Sequence, residues 1–173
     1  MMPRTVWFER KFTLDLPLSM YPNVLERVRG TPARLEDRLL KLPREVLVRR
    51  DGDNWSMQEQ AGHLLDLGTL DLGRLGDYEA GLERLRPADL KNRKTHEANH
   101  NADTVEHILA SFRAERTEFV SRLDGYDTDF IARTALHPRL QMPMRVLDLV
   151  YFIAEHDDHH LARITELIRA FVK

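Results

Sequence analysis

The stretch Leu149-Val150-Tyr151-Phe152-Ile153-Ala154-Glu155-His156-Asp157-Asp158-His159-His160-Leu161-Ala162-Arg163-Ile164-Thr165-Glu166-Leu167-Ile168-Arg169-Ala170-Phe171 decides the fold. Its apolar members Leu149, Ile153, Ile164, Leu167 and Phe171 recur every three or four residues, and His156 and His160 fill the two slots between them. That period marks one face of an amphipathic helix. Two histidines therefore stand one turn apart on the face that packs inward, a spacing that suits two imidazoles gripping one metal ion. The plainer alternative is a pair of core histidines satisfied by carboxylates, because buried ring nitrogens need hydrogen-bond partners.

Working outward, three further amphipathic segments precede this one. Tyr21, Val24, Leu25 and Val28 begin a first helix that Gly30-Thr31-Pro32 splits, with Thr31 as N-cap and Pro32 at the first helical position; Leu35, Leu39 and Leu40 continue it. Ser56 and Glu59 have capping-box spacing and open a second helix to about Glu79. Asp103 and Glu106 repeat that spacing before a third, carrying Val105, Ile108, Leu109, Phe112, Phe119 and Val120 through Leu123. Pro143 marks the start of the last helix, about Met144 to Val172. Val6 to Leu16 alternates and reads as a short strand or an extended arm. The expected fold is an all-α four-helix bundle forming a single domain over residues 1–173, with a site built inward from facing helices.

Composition narrows the chemistry. The 173 residues are 42% hydrophobic and 31% charged with a net charge of −2, which gives no concentrated basic face for nucleic acid. No apolar run reaches the roughly 20 residues of a membrane span, and Met1 to Phe12 lacks a signal peptide's apolar core, so a cytoplasmic location is expected. Cysteine is absent, so any metal must be held by imidazole and carboxylate. Such ligands suit zinc, nickel, iron(II) or manganese. His63, on the second helix, borders the apolar face and offers a third imidazole. Three imidazoles with an open position make a catalytic type of centre.

The order Trp55-Ser56, Glu59 and His63-Leu64 opening the second helix, then Ala154-Glu155-His156-Asp157-Asp158-His159-His160-Leu161-Ala162-Arg163-Ile164 on the last, resembles the DinB/YfiT-like superfamily of metal-dependent enzymes. The likeness spans nearly the whole chain, from Gly30-Thr31-Pro32 through Thr95-His96-Glu97-Ala98-Asn99-His100 to the end. It implies a four-helix bundle with one metal ligand from the second helix and two from the fourth: His63, His156 and His160. It also implies a thiol S-transferase, a maleylpyruvate-isomerase-like enzyme or a hydrolase. The cosubstrate of the thiol enzymes is a low-molecular-weight thiol such as mycothiol, bacillithiol or glutathione. The resemblance further implies a homodimer. The competing class is a non-catalytic small-ligand-binding or stress-response bundle.

Other conspicuous residues have plainer readings. His159 lies on another helical face, solvated or beside the site; His96 and His100 belong to a polar loop near the pocket mouth. Glu155, Asp157 and Asp158 could orient ligand imidazoles, although a charged helix surface accounts for at least two of them. Glu59 closes a capping box, Arg49 and Arg50 form a solvated basic loop, and Trp55 anchors the end of the bundle.

Overall fold

The computed structural model describes residues 4–172. Helix α1 (Tyr21–Arg29) and α2 (Thr31–Leu39) form the split first arm of the bundle. Gly30 stays in the right-handed helical region, with φ −80° and ψ −9°. The break belongs to Pro32, which lacks the amide that would continue the hydrogen-bond ladder. Thr31 makes no side-chain cap; its hydroxyl lies 2.7 Å from Asp157 Oδ2 on the last helix. The short α3 (Arg44–Leu47) leads toward the second arm.

That second arm is two helices, α4 (Met57–Asp66) and α5 (Gly68–Glu79), rather than the continuous helix the sequence pattern suggests. At the junction Gly68 lets Glu115 lie against the backbone, since a Cβ there would stand 1.7 Å from Glu115 Oε2. A short α6 (Arg93–Glu97) lies in the long connection to α7 (Val105–Asp124). The cap of α7 is Thr104, whose hydroxyl accepts from the His107 amide at 3.2 Å, not a box closed from Asp103.

After α8 (Thr128–Ile131), the chain folds into a hairpin, β1 (Thr134–His137) against β2 (Met142–Arg145). The strands are antiparallel, and Leu136 faces Pro143. Leu136 directs its N–H and C=O away from β2, to Glu83 O (2.8 Å) and Leu85 N (3.1 Å). The Leu136–Pro143 pair is therefore not hydrogen-bonded across the ladder, and the missing proline donor costs nothing there. Helix α9 (Val146–Phe171) starts after the hairpin, with Asp148 closing its cap onto Arg145, so Pro143 is a strand residue and not a helix start. The N-terminal arm contains no strand among its described residues. It runs extended, with 3-10 turns at Trp7–Glu9 and Leu18–Met20, and its Trp7 ring packs 5.1 Å from Phe152.

Two apolar cores fill the bundle. One gathers Val24, Leu75, Phe119, Leu123 and Leu147; the other gathers Leu35, Met57, Leu64, Phe112 and Ile164. Arg116 stands between them on α7, its guanidinium 4.9 Å from Phe112 and 5.9 Å from Phe119. It pairs with Asp157 at 2.7 Å, both groups almost fully buried. No helix among the described residues is long and apolar enough to cross a membrane.

Candidate metal centre

The three histidines singled out in the sequence come together. His63 sits near the end of α4, and His156 and His160 lie one turn apart on α9. One nitrogen from each ring lies within 4.8 Å of the others. The ring centres are 4.8 Å apart for His63 and His160, 5.4 Å for His63 and His156, and 4.5 Å for His156 and His160.

Hydrogen bonding sets the tautomers. Gln60 Nε2 donates to the Trp55 carbonyl at 3.5 Å, so its Oε1 accepts from His160 Nδ1 at 2.6 Å. Asp66 accepts from Thr95 and from His100 Nε2, the latter at 2.8 Å. With its proton committed to Asp66, Thr95 Oγ1 accepts from His63 Nδ1 at 3.0 Å. His63 and His160 are therefore left with Nε2 lone pairs. His160 Nε2 lies 3.2 Å from His156 Nε2.

Electrostatics keeps these rings neutral. Burial lowers the His63 pKa to about 4, against a modest upward pull from Asp66. Burial first holds both His156 and His160 well below the ordinary histidine range; the proximity of His63 and His159 then adds to the fall at His156, and that of His156 and His63 at His160. Neutral nitrogens converging at this spacing suit a divalent cation, and the outer N–H groups of His63 and His160 are already held by neighbouring oxygens, as metal-bound histidines require. The donor set therefore fits a metal ion.

Several residues fall elsewhere than their sequence context suggests. Trp55 is not a bundle-end anchor: its ring lies 4.8 Å from His63 and 5.4 Å from His96, walling the site. His96 is exposed at the cavity wall, whereas His100 is buried beneath α4 and bonded to Asp66. His159 is half-buried with the Arg4 guanidinium against its ring. Glu59 closes the capping box with Ser56 and pairs with Arg50, which stays exposed to solvent. Arg49 stacks 4.4 Å from the Phe171 ring. None of the three acids beside the histidines orients an imidazole. Glu155 and Asp158 pair with Arg10, Arg27 and Arg34, and Asp157 joins Arg116. The groups that do, Gln60 and Thr95, were missed. Gln60 had one signal, its position three residues before His63 on the same helical face.

The cluster opens onto a cavity of about 630 Å³. Asp71 lines it, and burial raises its carboxyl to about 7 despite the opposing pull of Arg116 and Arg74.

Bundle topology and a convergent histidine triad define the class: a helical-bundle protein with three histidines close enough to hold a metal ion beside an open cavity. The chain matches the family model described as the DinB superfamily over residues 27–164, and it belongs to that superfamily. Its fold is similar to that of YfiT from Bacillus subtilis, described as "a probable metal-dependent hydrolase with an unusual four-helix bundle topology". That likeness has a TM-score of 0.79 at 20% identity, covering 94% of this chain and 93% of YfiT. A protein from Streptococcus pneumoniae shares the fold with a TM-score of 0.69 at 10% identity, covering 95% and 94% of the two chains. No curated protein matches.

Proposed function

We propose that the protein is a metal-dependent enzyme, a hydrolase in the first instance, with His63, His156 and His160 as the ligands of one divalent ion. The observation that carries this reading is the convergence of three neutral imidazoles at the wall of a roomy cavity. Bound there, a divalent cation supplies Lewis acidity and draws the pKa of water, or of a thiol, toward neutrality. Gln60 and Thr95 hold the imidazoles in the tautomers that present lone pairs. Trp55 and Trp7 wall the histidines and limit access of bulk water. Asp71, with its carboxyl near 7, can accept a proton from a nucleophile and return it to a leaving group near neutral pH. The description of YfiT as a hydrolase supports the same direction.

The test is elemental analysis of the purified protein beside His63→Ala, His156→Ala and His160→Ala. Stoichiometric zinc, nickel, iron or manganese in the parent and its loss from each folded variant is the expected result. Equal metal content in all four overturns the ligand assignment. Turnover of ester and amide substrates with water alone, set against turnover of electrophiles that requires an added low-molecular-weight thiol, separates hydrolase from transferase. The chain has no cysteine of its own to act as nucleophile.

A further inference from the structure

One wall of the cavity carries buried hydrogen-bond donors with nothing to bind. His137, 1% exposed, accepts the Leu140 amide on Nδ1 at 3.1 Å. Its Nε2 must then carry the proton, and this N–H is buried without a partner. Arg139 is held face-on by aromatic rings, its guanidinium carbon 5.8 Å from Trp7, 5.4 Å from Phe8 and 5.5 Å from Phe152. Its Nη2 is likewise buried and unpartnered. Arg74, 3% exposed, donates Nε to the Arg86 carbonyl at 3.3 Å, while Asp71 and Asp77 attract it only at longer range. All three residues line the cavity that the histidines face.

The other cations of that wall are already matched. Arg116 pairs with Asp157, Arg163 with Asp51 and Glu166, and Arg4 with Glu166. Among the described residues, Arg74 and Arg139 are the lining guanidiniums without a carboxylate at pairing distance. Burial disfavours the charge on both, Arg139 adds to this at Arg74, and burial and then both arginines disfavour protonation of His137. Two like charges and an idle N–H, withdrawn from water together, are costly unless an anion completes them. Trp7 joins the two halves of the cavity, touching Arg139 on one hand and the His156 ring, at 4.7 Å, on the other.

We propose that His137, Arg139 and Arg74 form an oxyanion subsite that holds the carboxylate or phosphate group of a small substrate whose reacting part lies at the three histidines. The assignment of this anion to the substrate rests on the enzymatic reading above; the subsite itself does not. Arginine forks and an imidazole N–H supply the charge-assisted donors that such groups take up.

The probes are succinate and inorganic phosphate, titrated calorimetrically into the zinc-loaded full-length protein at fixed ionic strength; whichever binds identifies the oxyanion. Arg139→Gln and His137→Gln should each weaken that probe about tenfold or more, with Arg139→Lys retaining part of the affinity. His156→Ala should leave it within about threefold, because Nε2 of His137 and the guanidiniums are untouched. Thermal melts establish that each variant is folded, and the two glutamine variants stand in for each other if one is not. Absence of binding by either anion overturns the subsite, as does undiminished affinity in the glutamine variants. Loss in His156→Ala with retention in Arg139→Gln also overturns it, placing the anion at the histidines. Metal content, measured in parallel, reports on the ligand assignment independently.

Discussion

Replacing Asp71 with Asn tests whether the cavity holds a carboxyl group poised near neutrality. Burial lifts this group from 3.8 to about 7 in the folded chain; Asp157 and Glu115 add to the rise, while Arg116 and Arg74 oppose it. Between those values the native protein keeps a proton that the unfolded chain has released. Stability therefore falls as pH rises through the window, and the loss is complete above the folded value. A shift of roughly three units corresponds to about 4 kcal/mol. Asn is nearly isosteric and does not titrate, so Asp71→Asn should lack this fall. Buried histidines act in the opposite sense, losing stability toward acid, and are common to both chains. The assay is urea unfolding of metal-free protein at steps from about pH 4 to about pH 8, read as the difference between variant and parent. The variant should gain about 4 kcal/mol relative to the parent across that range. Parallel stability curves for the two chains would refute the reasoning, because they would mean the Asp71 carboxyl ionises in the native state as it does in the unfolded one.

The remaining expectations concern the supports of the site. Gln60→Ala removes the oxygen that fixes His160 and should weaken metal binding roughly 10- to 100-fold in a chelator competition, with little change in the thermal melt of the metal-free chain. Asp157→Ala strands Arg116 between the two cores and should cost about 3–5 kcal/mol in urea unfolding; adding Arg116→Met should recover most of it. Gly62→Ala would place a Cβ 2.3 Å from the His100 ring. It should displace that ring from Asp66 at a cost of about 1–3 kcal/mol, seen as a lower melting temperature.

Periodicity alone was enough to place the amphipathic segments, because a helix that buries one face must repeat its apolar residues every three to four positions. That same regularity put His156 and His160 on the inward face of α9, and the Gly30-Thr31-Pro32 run marked the split of the first arm, although the break belongs to Pro32 rather than to Gly30. His63 was legible only in combination with the resemblance, since its own helix left it at the border of the apolar stripe. The capping box of Ser56 and Glu59 was local chemistry and was readable as such.

What the sequence pattern left undetermined depends on partners far along the chain. The break at Gly68 reflects Glu115 on another helix, and the hairpin that takes up Pro143 is stabilised by the Glu83–Leu85 segment. Trp55 looked like an end anchor because its aromatic character shows in the sequence, while its neighbours, His63, His96 and His160, are assembled only by folding. Gln60 and Thr95, not the adjacent acids, orient the imidazoles; Asp157 is turned instead toward Arg116. The sequence by itself determined which residues share a helical face, because that is set by backbone geometry within a few residues. Tertiary structure alone decided which polar groups meet across those faces, because hydrogen bonds and charges act over distances that only packing can close.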